Sequence, residues 1–198
     1  MGIKERKIRE KENFRRLVIA TAHEIMMKKG LDGLTMRAIA QTIEYSQSKI
    51  YEIFKSKDHL CEILCEEICE KLLEILRNVP KAKNPDQYLT DVILKTTEFH
   101  GVFPHSDTLF TLVCFGPERF RTPPAFIEIE KHFSMALREL KSPYLKTEKE
   151  ILAALDIIRC IFIGVSNLMA SETSLKGRTR ALEMTENALK VLLRGWKG

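Results

Sequence analysis

Apolar side chains recur at three- and four-residue spacing through Phe14, Leu17, Val18, Thr21, Ala22, Ile25 and Met26. That period predicts an amphipathic helix over about residues 10–29, stopped by Gly30. Thr35 is placed to cap a second helix running to about residue 42, and Ser46 a third running to about residue 53. A long fourth helix opens at Ser56 or Lys57 and continues to about Leu76. On it Cys61, Leu64, Cys65, Ile68, Leu72 and Ile75 make one stripe, while Glu62, Glu66, Glu67, Glu70 and Glu74 lie mostly opposite.

The segment VPKAKNPDQ, residues 79–87, has two prolines and few apolar side chains, so it reads as a domain junction. Beyond it, helices are expected near residues 86–100, 105–115, 123–141, 147–172 and 178–196. Nothing reads as a strand and no internal repeat is visible. The fold class predicted is therefore all-α with about nine helices. Its organisation is a three-helix head over 1–56, a connecting helix over 57–78 and a larger helical domain over 79–198.

Residues 151–170, ILAALDIIRCIFIGVSNLMA, are the most apolar stretch, long enough to be tested as a membrane span. Asp156 and Arg159 argue against one, since each would cost roughly 2.5–3.5 kcal/mol at a bilayer centre. Lys149, Asp156, Arg159, Ser166 and Asn167 project onto one narrow strip, leaving most of the circumference apolar. Such a helix needs burial on two sides, one of which a second copy of the chain can supply. The expected interface is Leu155, Ile158, Phe162 and Val165, with Leu182, Leu189 and Leu192 of the last helix.

Residues 35–57, TMRAIAQTIEYSQSKIYEIFKSK, carry the clearest chemistry. Small Ala38 and Ala40 beside Ile39 let a second helix approach, and Ile43, Ile50 and Phe54 hold the pair together. Ser46, Gln47, Ser48, Lys49 and Tyr51 gather around the first turn of the second helix, where side chains and backbone N–H groups can meet phosphates and base edges. Charge follows the same geography. Residues 1–60 carry 13 Lys and Arg against 8 Asp and Glu, the whole of the net +5, and the rest of the chain is balanced at 19 each. An acidic partner should meet the N-terminal end.

The remaining signals are weaker. Cys61, Cys65 and Cys69 align along one side of the fourth helix, a pattern that suits core packing and, as an alternative, a redox-responsive regulator. Four-residue cysteine spacing lacks the usual zinc signature, so no metal is expected. Phe99, Phe103, Phe110, Phe115, Phe133 and Phe162, with His100, His105 and His132, make the second domain aromatic. They fill its core, or they line a site for a small apolar or amphipathic effector. Catalysis is not expected: no histidine has Glu three residues before it, and GxSxG, GxGxxG and P-loop motifs are missing. No cofactor is implied. The N-terminal IKERKIREKENFRR lacks an apolar run, so a secretory signal is not expected and the cytoplasm is the expected compartment.

With these elements placed, the chain resembles the TetR family, the tetracycline-repressor-like bacterial transcription regulators. The resemblance is densest over residues 14–62: the helix ending in Gly30, Leu34-Thr35-Met36, Ile39-Ala40, Ser46, Ile50-Tyr51, Phe54, and Ser56-Lys57 followed by Leu60. It implies a homodimer on a palindromic double-stranded DNA operator, released by a small effector bound in the second domain. It also implies phosphate contacts from Thr35, Ser46 and Tyr51, a strand anchor at Lys57, and Arg37 on backbone or base. Gln47 and Lys49 are the candidate base readers, since Gln suits adenine and Lys suits guanine. Four positions depart from the family pattern. Glu44 stands where the turn usually has Gly, Ser48 replaces a frequent Gly, Ile53 a frequent His, and Glu52 places an acid beside Tyr51. The other alternative is a helical protein-interaction module without a defined operator.

Overall fold

The computed structural model describes residues 2–103, 106–116, 118, 120–171 and 175–197. All regular structure among the described residues is helical, in the order α1 (Ile3–Gly33), α2 (Met36–Thr42), α3 (Gln47–Tyr51), α4 (Lys57–Arg77), α5 (Pro85–Val102), α6 (Ser106–Phe115), α7 (Pro124–Glu139), α8 (Glu148–Ser171) and α9 (Leu175–Lys197). They form two compact units. The first comprises Met1–Cys65 and Thr108–Arg121, the second Glu66–Asp107 and Thr122–Gly198. Both α4 and α6 start in one unit and finish in the other.

In the first unit α2 packs on α1 and α3. Val18, Ala22, Leu34, Ile39, Ile50, Phe54 and Leu60 are wholly buried there. Each large apolar side chain removed from water stabilises the head by about 1.5–3 kcal/mol. Gly30 takes φ 66°, a left-handed conformation that interrupts α1 where glycine was expected to end it. The start of α1 differs from expectation. The basic run is helical from Ile3, because Lys, Arg and Glu are good helix formers and pair at i,i+4, as Arg6 does with Glu10 at 2.7 Å.

Ser56 accepts the His59 N–H at 3.0 Å, and His59 Nδ1 accepts the Lys55 N–H at 3.3 Å, a reciprocal cap that starts α4. Along α4 the buried stripe runs through Cys61, Leu64, Cys65, Ile68, Cys69, Leu72, Leu73 and Leu76. Ile75, expected within it, is exposed, since Leu73 and Leu76 take the inward positions of the last turns. Two of the glutamates opposite also have structural tasks. Glu62 accepts the Arg121 N–H at 3.0 Å, and both Glu66 oxygens accept the Ala125 N–H at 3.3 Å, capping the first turn of α7. Burial pushes the Glu66 carboxyl up from its ordinary range, and the Ala125 N–H pulls against that.

The second unit is a helical bundle in which α5 packs on α7, α8 and α9, and α8 on α7 and α9. Buried hydroxyls are satisfied mostly by backbone carbonyls: Thr96, Thr97 and Thr185 each donate to the carbonyl four residues back, and Ser142 donates to the distant Trp196 carbonyl. Residues 148–169 are long and apolar enough to cross a membrane, with mean hydropathy 1.9. Their central charge is answered inside the protein. Arg159 donates to Glu130 of α7 and to Asp156 at 2.5 Å. Ser166 does not lie on a solvated strip; it is buried, and its hydroxyl has no hydrogen-bond partner among the described residues.

Candidate nucleic-acid interface

The turn joining α2 to α3 is built around Glu44, at φ 58°. The Tyr45 N–H donates to the Ala40 carbonyl at 3.0 Å, the six-to-one bond of a helix end closed by a left-handed residue. The sequence puts a β-carbon where that geometry favours glycine, at a cost of about 1 kcal/mol. The Tyr45 ring then lies against Phe14 with centroids 4.8 Å apart, tying the turn to α1.

Both helices that flank this turn are capped by hydroxyls. Thr35 Oγ1 accepts the Ala38 N–H at 3.0 Å, and Ser46 Oγ accepts the Lys49 N–H at 3.3 Å. Each hydroxyl keeps its own proton, which an incoming phosphate oxygen can accept. On α3 only Ile50 is buried, and it anchors the helix. Gln47, Ser48, Lys49 and Tyr51 are all exposed, as are Thr35, Arg37 and Ser46. A five-residue helix held by one apolar anchor thus presents nearly every other side chain to solvent.

Two of the expected contact residues are already engaged. Lys49 pairs with Glu52 at 2.7 Å, which accounts for the acid beside Tyr51. Lys57 is half-buried and donates to the Leu31 carbonyl at 3.1 Å, so its ammonium closes the C-terminal end of α1 and has two N–H groups left for a strand.

The other site residues separate into groups. Phe99, His100, Phe103, Phe133 and Phe162 form one aromatic cluster in the second unit, with Phe99 and Phe103 4.6 Å apart, Phe162 5.8 Å from His100 and 5.9 Å from Phe133, and Lys71 over the Phe103 ring at 5.3 Å. Phe110 and Phe115 fall in the first unit, where Phe110 is buried and Phe115 exposed. His105 lies outside the described residues. His132 is occupied by a 2.9 Å hydrogen bond with Tyr88. His100 is buried with Nδ1 2.8 Å from Ser106 Oγ, and burial pushes its imidazole down to about 4, so it is neutral at physiological pH.

Leu155, Ile158, Val165 and Leu189, expected at a subunit interface, are buried within their own chain; Phe162, Leu182 and Leu192 are half-buried. The apolar side chains left exposed are instead Leu152, Ile157 and Leu168 on α8 and Met184 and Val191 on α9. Helical projection could not decide which side of an almost wholly apolar helix faces its own core. Cys61, Cys65 and Cys69 are fully buried, and burial pushes the Cys61 thiol up to about 11, which opposes thiolate formation and with it redox chemistry. No cluster of metal-ligating side chains occurs among the described residues.

A short capped helix offering polar side chains from a tight turn, on a head that carries the chain's excess positive charge, defines the class of helix-turn-helix DNA-binding proteins. Residues 18–63 match the family described as bacterial regulatory proteins, tetR family. No curated protein matches the chain significantly. Solved structures share its fold at low identity. BioQ from Mycobacterium smegmatis is 15% identical with a TM-score of 0.65, covering 92% of this chain and 97% of that one. A TetR protein from Acinetobacter baumannii AYE in complex with minocycline is 18% identical with a TM-score of 0.65, covering 91% and 96%. BioQ with its natural double-stranded DNA operator is 17% identical with a TM-score of 0.58, covering 87% and 94%. Residues 18–63 thus form a DNA-binding domain of the tetR type, and the chain as a whole shares the fold of these solved structures.

Proposed function

We infer that this protein is a homodimeric, ligand-responsive repressor that works in the cytoplasm on a palindromic operator. The observation that carries the reading is α3 itself, anchored by Ile50 with Gln47, Ser48, Lys49 and Tyr51 turned outward. Gln47 and Lys49 read base edges, Lys49 exchanging Glu52 for its base. Thr35, Ser46, Tyr51 and Lys57 hold phosphates, and Arg37 reinforces them from α2. The solved BioQ complex with its operator supports a fold of this kind on duplex DNA.

A second copy covers the exposed apolar face of α8 and α9, where Leu152, Ile157 and Val191 would otherwise meet water. The effector is a small apolar or amphipathic molecule taken up near Phe99, Phe103, Phe133 and Phe162. Support comes from the Ser166 hydroxyl, buried with no hydrogen-bond partner among the described residues and one helical turn from Phe162 on α8, which a ligand's polar group would satisfy. Since α4 starts in the first unit and ends in the second, a ligand that favours one position of α4 alters the spacing of the two heads from the roughly 34 Å that one DNA turn demands. Footprinting on genomic fragments tests this: two protected half-sites related by symmetry are expected, and protection with no preferred sequence would contradict it.

A further inference from the structure

We propose that the groove between the N-terminal extension of α1 and α3 receives the sugar-phosphate backbone of DNA flanking the operator half-site, with Lys7 and Lys11 as its anchors. This deepens the operator-binding reading and rests on it. The groove is an open cavity of about 670 Å³ within the first unit, lined at its base by Phe14 and Tyr45. Five charged side chains border it. Glu10 is paired with Arg6 and, in the free protein, Glu52 with Lys49, each at 2.7 Å; once Lys49 turns to a base, Lys7 and Lys11 still outnumber the released Glu52. Lys7 and Lys11 have no hydrogen-bond or ion-pair partner among the described residues, so their charge is uncompensated.

The geometry suits an extended polyanion better than a compact one. Residues 3–13 continue α1 as a helix about 16 Å long, and Lys7 and Lys11 sit one turn apart, about 6 Å along its axis, on the side that faces the groove. Lys49 lies on the same groove and on the reading face of α3, so the cationic surface is continuous with the operator site. A strand leaving the major groove beside α3 would therefore run between two lysines held on a helix, rather than meet a floppy arm. Contacts of this kind carry no sequence information; they add affinity and salt dependence.

The test uses Lys7→Gln/Lys11→Gln, which removes both charges and keeps good helix formers in exposed positions. Binding is titrated between about 50 and 200 mM salt on the sequence selected by the wild-type protein, once with long flanks and once trimmed to the half-sites. Loss of two phosphate contacts lowers the slope of log K against log salt by about 1.8 per bound subunit on the long probe. On the trimmed probe the two proteins should match, and preference for the selected sequence should be the same for both. A control, Lys131→Gln/Lys190→Gln in the second unit, should leave the slope unchanged. Equal slopes for the double variant and wild type on the long probe, or an equal drop in the control, would overturn the groove assignment while leaving the regulator reading intact. If the wild-type protein selects no sequence at all, the regulator reading fails and the groove falls with it.

Discussion

Glu44 occupies a left-handed turn position without the freedom of glycine, and its exposed side chain makes no hydrogen bond or ion pair among the described residues that offsets the strain. Glu44→Gly should stabilise the protein by about 0.5–1 kcal/mol in chemical denaturation, the strain relief outweighing the extra entropy of the unfolded chain. A loss of stability would show that the turn is not strained. His100 gives the opposite lesson about burial. Its imidazole titrates at about 4 when folded and near 6.5 when unfolded, so the unfolded chain takes up the proton first as pH falls. The contribution is fully present above about pH 6.5 and is lost progressively towards pH 4, on the order of 3 kcal/mol in all. His132, also pushed down by its burial, acts in the same direction. Subtracting the stability profile of His100→Asn from that of the wild type should leave this slope; parallel profiles would place the imidazole in water. The strain at Glu44 was legible in the sequence because one residue type answers one backbone requirement. The burial of His100 was not, because it depends on Phe99, Phe162 and Ser106 meeting around it.

At the scale of elements, α3 is so short that its cap carries much of its stability. Ser46→Ala removes the bond to the Lys49 N–H and should cost about 1 kcal/mol of stability, together with a marked loss of DNA affinity as the phosphate donor disappears. Unchanged melting would mean that Ile50 alone holds the helix. Capping residues, Gly30 and the prolines made the order of helices readable, since each acts within a few residues. The extent of α1 was not readable in the same way: hydrophobic periodicity begins at Phe14, whereas the helix begins at Ile3 on charged residues that bury nothing. Glu66 was hidden for a related reason, because the N-terminus it caps lies 59 residues away.

Across the whole molecule, the apolar surface of α8 and α9 is where a second copy should settle. Periodicity showed that α8 needed two buried sides, but which side meets its own core depends on α5, α7 and α9. Leu155, Ile158 and Val165 fell inward, and Leu152, Ile157 and Leu168 were left outside. Ile157→Arg with Val191→Arg should therefore yield a folded monomer by sedimentation, with helix content intact and operator affinity greatly weakened. A stable dimer in that variant would place the interface elsewhere.

What makes this protein a regulator, on the proposed reading, is that the face around α3 reads sequence. The most direct measurement is the ratio of dissociation constants for the selected operator and a scrambled duplex of equal length, at one physiological salt concentration. An operator preference of about 10³ or more is expected, with a loss of about 1–3 kcal/mol for Gln47→Ala on the operator and little change on the scrambled duplex. A ratio near one, or an equal loss on both duplexes, would contradict that reading.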